Sequence, residues 1–489
     1  MTRASVRPMR WLFLCALWAA GCHDGWTLEL RTSPVLDEQP LAGVDTLELR
    51  WTRPGLAAVV DHLAYRGGTS LIIPHPAEVP AGSTLEIAAI AAGNVVAVGR
   101  TGARLAGKDV SAYIGLVDRF VATRTDPDVA RARFGASATL LGDGRVLLAG
   151  GATRGSPGLP DPSSISALVD LYDPATGSFH PFVATGLAER IYHAAGATPD
   201  GGVLLVGGLG KFGPLDDVYK IDAANAASVG KLPAPRWGAA AATLADGTLL
   251  VVGGYTSADG MGGGTLATDA LVVAADGASA SAVTLPAPRA FAVATRLADG
   301  RVLVTGGVDA AGPRDDALVY SPTDGALSTL SPASARATML SPRVGHAAAL
   351  LPSGAVFVFG GNDGHASVAA PELWSPDAGG FVDSPVFNLG PRQSAATAVL
   401  ADGSVLVAGG EALPQPMAIP SPVLDAIVVR DGTVGDEDAT TPARADATAT
   451  ALPDGSVLYV GGGVGDPRAV AAGAQIFVPC FGSCLAVTP

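Results

Sequence analysis

Residues 190–208 read RIYHAAGATPDGGVLLVGG. This pattern of residues, called the frame here, recurs along the chain and indicates the fold. An arginine is followed by small residues, an Asp-Gly turn, a continuous apolar run and a pair of glycines. The Asp lies ten residues after the arginine, and the first glycine of the pair lies 17 residues after it. The frame occurs seven times, at residues 133–151, 190–208, 236–254, 289–307, 343–361, 392–410 and 444–462, with Ser353 once replacing the Asp. A period of 46 to 57 residues indicates a repeat architecture.

Each frame predicts two antiparallel strands joined by a tight turn. The small-residue run suits a strand in a crowded place, and Asp-Gly is a strong signal for a two-residue hairpin. The second strand, VLLV at 203–206, does not alternate with polar residues, so both of its faces should be buried. A third strand and a weaker fourth follow each glycine pair, which predicts a propeller blade of four antiparallel strands.

The seven frames resemble the Kelch repeat family, whose signature combines the arginine, the small-residue strand, the glycine pair and a later aromatic-rich strand. The resemblance covers residues 125–489 and implies a seven-bladed β-propeller. The sequence FVAT at 120–123 is similar to FVAT at 182–185, a fourth strand, so it is predicted to complete the last blade. The alternative is closure by residues 485–488.

Residues 23–124 contain no copy of the frame. Short alternating strands separated by Pro and Gly turns predict a small β-sandwich, similar to immunoglobulin-like or fibronectin-like modules. The predicted fold class is therefore all-β: a seven-bladed Kelch-type β-propeller preceded by a small immunoglobulin-like β-sandwich.

The N-terminal residues 1–22 predict an export signal, with three arginines before an apolar run and Ala-Ala-Gly before Cys22. The small residues followed by cysteine resemble a bacterial lipobox, which implies acylation of Cys22 and a membrane partner through the lipid. An ordinary signal peptide is the alternative. The expected location is the bacterial cell envelope, at the outer membrane. Cys480 and Cys484 predict a small disulfide loop, because exported proteins meet an oxidising compartment.

Composition and motifs narrow the chemistry. The net charge of −14 argues against nucleic-acid binding, and no apolar run after residue 22 is long enough for a membrane helix. Copper radical oxidases such as galactose oxidase use this kind of propeller, but they need a Tyr crosslinked to Cys, and no Cys lies within the blades. His193 and His346 each lie three residues after a frame arginine; they are interpreted as a metal pair or as polar residues facing channel water. No metal and no cofactor are expected.

The frame arginines are the candidate ligand-binding residues. They are Arg133, Arg190, Arg236, Arg289, Arg343, Arg392 and Arg444. In Kelch proteins residues at this end of the channel can bind acidic peptides, so the resemblance implies a carboxylate- or sulfate-bearing partner. Arginine suits such a partner, since it pairs bidentately with these anions. The alternative is structural, with each arginine bonding carbonyls or the Asp of an adjacent blade. From the lack of a catalytic motif, the sequence predicts a lipid-anchored binding or scaffold protein that presents loops to a protein or glycan and is not an enzyme. The alternative is an enzyme with an unrecognised site at the channel, other than a copper radical oxidase.

Overall fold

The computed structural model describes most of the chain from residue 25 to residue 479. The described residues are 25–32, 41–52, 59–68, 70–74, 84–100, 109–116, 119–122, 133–156, 159–174, 176–222, 225–332, 335–386, 388–416, 418–430, 433–436, 444–465, 469–471 and 473–479. Over these residues the structure is almost entirely β, with one short 3₁₀ helix at Pro162–Ser164. No helix in this part of the chain has the length and apolar character needed to span a membrane.

The N-terminal unit is a single seven-stranded sheet. Its strands are β1 (Gly25–Thr32), β2 (Thr46–Thr52), β3 (Val59–Ala64), β4 (Ser70–Pro74), β5 (Thr84–Ala91), β6 (Asn94–Arg100) and β7 (Asp109–Leu116). The strand order is β3-β2-β5-β6-β7-β1-β4, with β1 and β7 parallel and the other pairs antiparallel. Ile73 from one edge strand shares a buried core with Leu49 and Trp51 from the other half of the sheet. The sheet therefore curls over itself and encloses this core as a small sandwich does.

Most of the remaining strands form seven four-stranded antiparallel blades. Blade 1 contains β9 (Ser137–Leu140), β10 (Val146–Ala149), β13 (Val169–Asp173) and β14 (Ser178–Phe182). Blade 2 contains β15 (Ala194–Ala197), β16 (Val203–Val206), β19 (Asp217–Ile221) and β20 (Ala226–Lys231). Blade 3 contains β21 (Ala240–Thr243), β22 (Leu249–Val252), β23 (Asp269–Val273) and β24 (Ala280–Thr284). Blade 4 contains β25 (Val293–Arg296), β26 (Val302–Thr305), β29 (Ala317–Ser321) and β30 (Ala326–Thr329). Blade 5 contains β31 (Val344–Leu350), β32 (Val356–Asn362), β33 (Glu372–Ser375) and β34 (Gly380–Asp383). Blade 6 contains β35 (Ala396–Val399), β36 (Val405–Ala408), β39 (Ala426–Arg430) and β40 (Thr433–Asp436). Blade 7 contains β41 (Ala445–Ala451), β42 (Val457–Val464), β44 (Ala474–Val478) and β8 (Arg119–Ala122).

Short additional strands lie in the loops after the glycine pairs. They are β11 (Gly155–Ser156), β12 (Leu159–Pro160), β17 (Leu209–Gly210), β18 (Gly213–Pro214), β27 (Val308–Asp309), β28 (Gly312–Pro313), β37 (Glu411–Ala412), β38 (Ser421–Pro422) and β43 (Ala469–Val470). All but β43 pair into short hairpins with two residues in each strand, and these stand on the end of the propeller where the frame arginines lie. This end is called the arginine face below.

The core of the propeller lies between the blades. The second strands of blades 1 and 2, β10 and β16, are buried at every position, as their continuous apolar sequence predicts. One core cluster joins Leu147 and Leu171 of blade 1 to Leu205 and Ile221 of blade 2, and comparable clusters join the other neighbours. Each blade is therefore stabilised by apolar packing against the blades on both sides.

Strand β8 closes the ring, because it pairs antiparallel with β44 as the outer strand of blade 7. The prediction that the segment before the first frame completes the last blade is confirmed. Because β8 lies inside residues 23–124, the boundary between sandwich and propeller falls before residue 119 and not at residue 125. The alternative closing segment, residues 485–488, lies outside the described residues. The predicted fold class, a seven-bladed propeller preceded by a small β-sandwich, is confirmed.

Candidate functional site

The seven frame arginines are buried inside their own blades. Their exposed fractions range from 0% to 2%. In five blades, a terminal nitrogen of the guanidinium donates to the carbonyl of the first glycine of the same frame. These bonds are Arg190 to Gly207 (3.0 Å), Arg236 to Gly253 (3.2 Å), Arg289 to Gly306 (3.1 Å), Arg343 to Gly360 (3.0 Å) and Arg444 to Gly461 (2.9 Å). Each arginine thus ties the start of its first strand to the end of its second.

Six of these arginines also pair with an acid at or next to the third strand of the same blade. The pairs are Arg133–Asp170 (2.7 Å), Arg190–Asp217 (2.5 Å), Arg236–Asp269 (2.6 Å), Arg289–Asp316 (2.7 Å), Arg343–Glu372 (2.6 Å) and Arg392–Asp425 (3.2 Å). In blade 7, Arg444 instead donates to the Gly473 carbonyl and lies 5.4 Å from the Tyr459 ring centroid. The structural alternative predicted carbonyls or an Asp of an adjacent blade as partners. The arginines do bond carbonyls and acids, but these partners lie in the same blade. The guanidiniums therefore do not form an open ring of cations around the channel.

Backbone hydrogen bonds link every blade to the next at the same place. The second glycine of each frame donates to the carbonyl of the next frame's arginine. These bonds run from Gly151 to Arg190 (2.8 Å), Gly208 to Arg236 (2.7 Å), Gly254 to Arg289 (2.8 Å), Gly307 to Arg343 (3.0 Å), Gly361 to Arg392 (2.9 Å), Gly410 to Arg444 (2.7 Å) and Gly462 to Arg133 (2.8 Å). The last bond joins blade 7 to blade 1, so the seven bonds make a closed circle. A Cβ on Gly207 would lie 2.4 Å from the Arg236 carbonyl oxygen, which explains why glycine occupies this position.

A second circle, called the mouth ring here, lines the channel opening on the arginine face. Its members are the residues two positions after each frame arginine: Gly135, Tyr192, Gly238, Phe291, Gly345, Ser394 and Asp446. All seven have a positive φ, between 52° and 67°. Their amides donate around the ring, as from Phe291 to the Gly238 carbonyl (2.7 Å) and from Ser394 to the Gly345 carbonyl (2.8 Å). Six such bonds join neighbouring members, so the mouth ring is a backbone belt that runs from Gly345 through Gly135 to Phe291.

Four members of the mouth ring are strained. Tyr192, Phe291, Ser394 and Asp446 adopt a left-handed backbone conformation that costs a non-glycine residue about 1–2 kcal/mol. Among the described residues, only one other non-glycine residue, Ala92, has a positive φ. Strained conformations of this kind concentrate at functional sites, where the surrounding structure holds them in place. The mouth ring is for this reason the candidate functional site.

Aromatic side chains cover one half of the mouth. Tyr192, Trp237, Tyr255 and Phe291 form the aromatic cluster. The Phe291 ring makes edge contacts with Tyr192, at 5.4 Å between ring centroids, and with Trp237, at 5.7 Å. Trp237 packs at 5.0 Å from Tyr255 and donates its indole N–H to the Ser257 carbonyl (2.9 Å). Ser394 and Asp446 belong to the other half, so the ring has an aromatic side and a polar side.

Two carboxylates lie near the aromatic cluster. Burial raises the pKa of the Tyr255 hydroxyl, and the charges of Asp259 and Asp309 raise this pKa further. The amides of Met261 (2.7 Å) and Gly263 donate to Asp259, and these bonds lower the pKa of its carboxyl. Asp309 pairs with Arg314. Tyr255 is therefore held neutral beside two ionised groups.

A groove of about 490 Å³ opens next to the aromatic cluster and shares Trp237 with it. Leu159 and Ile165 of blade 1 form one wall, and Lys211 and Phe212 lie at the tip of the β17–β18 hairpin. The Phe212 side chain is 94% exposed. The groove extends the aromatic side of the mouth outward over blades 1 to 3.

The two histidines of the inner strands are engaged between blades. His193 Nε2 lies 2.7 Å from the Ser137 hydroxyl, and His346 Nε2 lies 2.9 Å from the Thr305 hydroxyl. Burial, with a contribution from the neighbouring Arg190 and Arg343 charges, lowers the pKa of each histidine to about 3. Both imidazoles are therefore neutral at pH 7. The structure does not bring them into one group, and the described residues contain no cluster of three or more His, Cys, Asp or Glu that could hold a metal.

Three predicted residues lie outside the described part of the chain. They are Cys22, Cys480 and Cys484. The sequence analysis missed the mouth ring. A usable signal was present, since three of the seven positions carry glycine at the same offset from the arginine.

Comparison with known proteins identifies solved structures with a similar fold. No family model and no curated protein sequence matches the chain. Among solved structures, 221 chains match. One is described as a novel fungal alcohol oxidase with catalytic diversity among the AA5 family, in complex with copper. It aligns with a TM-score of 0.57 and 16% identity, over 76% of this chain and 79% of its own. At this identity the likeness shows a shared propeller fold.

This finding contradicts the predicted function. The sequence predicted a binding or scaffold protein that is not an enzyme, whereas the fold is shared with a copper alcohol oxidase. The alternative, an enzyme other than a copper radical oxidase, does not fit this finding cleanly either. Both predictions relied on the lack of a recognisable motif, and neither a missing motif nor a fold determines function.

The described residues do not fit a copper centre of the kind that the resemblance implied. Such a centre needs two histidines, two tyrosines and a cysteine together, and all four cysteines of the chain lie outside the described residues. His193 and His346 are each bonded to a hydroxyl in a different interblade contact.

Proposed function

We propose that this protein is an enzyme that acts on a hydroxyl-bearing organic compound at the mouth ring. The observation that carries the proposal is the strain at Tyr192, Phe291, Ser394 and Asp446, four side chains held in an unfavourable backbone conformation around one opening. Strain at a ring of side chains is expected where geometry is maintained for chemistry. The shared fold with an alcohol oxidase supports a hydroxyl-bearing substrate.

The two halves of the mouth suit the two halves of such a substrate. Phe291 and Tyr192 provide an aromatic wall that would pack against the carbon skeleton. Asp446 and Ser394 provide a carboxylate and a hydroxyl that would bind the substrate's own hydroxyl group. Asp446 is also the group at this ring that could accept a proton from that hydroxyl.

A substrate screen tests the proposal. The full chain is incubated with a panel of sugars and of alkyl and aryl alcohols, and substrate loss and product are followed by mass spectrometry. We expect turnover of at least one compound, a higher KM in Phe291→Ala and a lower kcat in Asp446→Asn. Val183→Ala is the matched control, because Val183 is 83% exposed and follows the outer strand of blade 1. Turnover that is equal in all four proteins, or no turnover of any compound, would overturn the proposal.

We also propose that the propeller is a Kelch-repeat propeller and that the protein is exported and lipid-anchored. The seven frames support the first statement, and the basic and apolar run that ends at Cys22 supports the second. The membrane is then its partner through the lipid, at the outer membrane of the bacterial envelope, on its periplasmic or its surface side, and nucleic acid is not a partner. Cys22→Ser should release the protein from the membrane fraction or leave an uncleaved precursor. Unchanged fractionation and processing would contradict the anchor.

The C-terminal cysteines carry a separate proposal, a disulfide between Cys480 and Cys484 in the exported protein. Mass spectrometry of protein alkylated without reduction tests it. We expect a mass lower than that of the dithiol form by two hydrogen atoms, and two alkylated thiols would contradict the disulfide.

A further inference from the structure

A cavity of about 420 Å³ lies between blades 5 and 6, at the end of the propeller opposite the arginine face. Phe357, Leu373 and Val386 of blade 5 form one wall, and Val429 of blade 6 forms the other. The Asp-Gly turn of blade 6 and its counterpart in blade 5, around Ser353, border the opening. The cavity is therefore separate from the mouth ring and from the proposed function.

Val429 occupies the position where most blades carry a large side chain. The register that pairs Val405 with Val429 gives its equivalents in the other blades: Tyr172, Ile221, Val273, Tyr320, Trp374 and Phe477. Each of these residues packs into the core that its blade shares with the preceding blade. Four of the six are aromatic, so the repeat usually fills this space with a ring.

In blades 1 and 5 a pair of rings fills this space. In blade 1, Tyr172 pairs across the strands with Phe179, and their ring centroids are 5.0 Å apart. In blade 5, Trp374 pairs with Phe381, and each is 1% exposed. In blade 6, Val429 pairs with Val434, which is 41% exposed. Blade 6 thus has two small side chains where blades 1 and 5 have two rings.

Blade 3 also has a valine, Val273, at this position, but there the neighbouring backbone fills the gap. A Cβ on Gly277 would lie 3.0 Å from side-chain atoms of Leu204 and Val218 in blade 2. A Cβ on Gly230 would lie 2.2 Å from the Gly277 carbonyl oxygen. Blades 2 and 3 therefore meet directly. Between blades 5 and 6 the missing ring volume remains as a cavity.

The serine hydroxyls at the rim are already bonded within the protein. The Ser404 hydroxyl donates to Asp402 (2.5 Å), and the Ser384 hydroxyl accepts from the Val386 amide (3.2 Å). Arg430 Nε lies 4.0 Å from Asp402. A ligand would gain little from a charge here, so apolar shape would select it.

We propose that this cavity binds a neutral, planar aromatic compound of one or two rings. The ligand supplies the rings that Val429 and Val434 do not supply, in the space that Tyr172 and Phe179 occupy in blade 1. Burying such a ring pair between two apolar walls is favourable, as it is for the side chains of the other blades.

A fluorescence titration with 6-propionyl-2-(dimethylamino)naphthalene, a neutral two-ring probe whose emission depends on its environment, tests the proposal on the full chain. We expect a saturable increase with one site per chain, and at least tenfold weaker binding in Val429→Trp, which copies Trp374 of blade 5. The control is Phe212→Ser, which alters the other apolar groove and should bind the probe as the parent does.

The outcomes are distinct. An absence of saturable binding, equal binding by Val429→Trp, or loss of binding in Phe212→Ser would each overturn the proposal. If Val429→Trp does not fold, as judged by circular dichroism, Val429→Phe replaces it with the same expected loss. Loss of turnover at the mouth ring in the substrate screen does not affect this result, because the two sites lie at opposite ends of the propeller.

Discussion

Removing one frame arginine would separate a structural role from a ligand-binding role. In Arg343→Met the aliphatic stem is retained, while the bonds to Glu372 (2.6 Å) and to the Gly360 carbonyl (3.0 Å) are lost. Breaking a buried ion pair usually costs about 3–5 kcal/mol. Glu372 still pairs with Arg336 (3.1 Å) and still accepts a hydrogen bond from the Leu340 amide (2.8 Å). The expected loss in free energy of unfolding is therefore at the lower end of this range, about 3 kcal/mol. For a cooperative unit of about 350 residues this is a decrease in Tm of about 4 °C.

Calorimetry of the full chain measures this loss against a matched exposed pair. Arg301 and Asp299 are 2.7 Å apart, close to the 2.6 Å between Arg343 and Glu372, but their side chains are 41% and 50% exposed. Arg301→Met should therefore change stability by less than about 1 kcal/mol. If Arg343→Met melts like Arg301→Met and instead loses retention on an immobilised sulfated or acidic peptide, the structural reasoning is refuted and the arginines bind a ligand.

Three further predictions concern the stability of the closed ring of blades. Because the pKa of folded His346 is about 3 and that of an unfolded histidine is about 6.5, only the unfolded chain takes up this proton as the pH falls from 6.5 towards 3. The free energy of unfolding should therefore fall with pH over that window, and by pH 5 the loss due to His346 should be about 2 kcal/mol. In urea unfolding, His346→Gln should show a smaller difference in this free energy between pH 7 and pH 5 than the parent does. Gly207→Ala should lower the free energy of unfolding clearly more than Gly300→Ala does in the same assay. Both glycines have a positive φ, but only at Gly207 would the new Cβ meet backbone, the Arg236 carbonyl. Equal losses would contradict the packing argument. A chain that begins at residue 119 keeps β8 and should melt higher than one that begins at residue 133, and equal Tm values would argue against closure by β8.

The sequence determined the propeller because its evidence is local and repeated. The arginine, the Asp-Gly turn, the apolar strand and the glycine pair lie within 19 residues, and each has a conformational meaning of its own. Seven copies of that frame predict seven blades, and the similarity between residues 120–123 and 182–185 was enough to find the closing strand β8. The position of the candidate arginines at one end of the channel followed from the same register.

Tertiary structure alone decided the features that depend on distant residues. The sequence could not show that the partner of Arg343 is Glu372, 29 residues away beyond a variable loop, and this contact is what buries the guanidinium inside its blade. The mouth ring exists only when seven chain segments meet, and its strain at Phe291 depends on a bond to Gly238 in the neighbouring blade. The cavity beside Val429 is likewise a property of two blades, because whether a small side chain leaves a space depends on how closely the next backbone approaches.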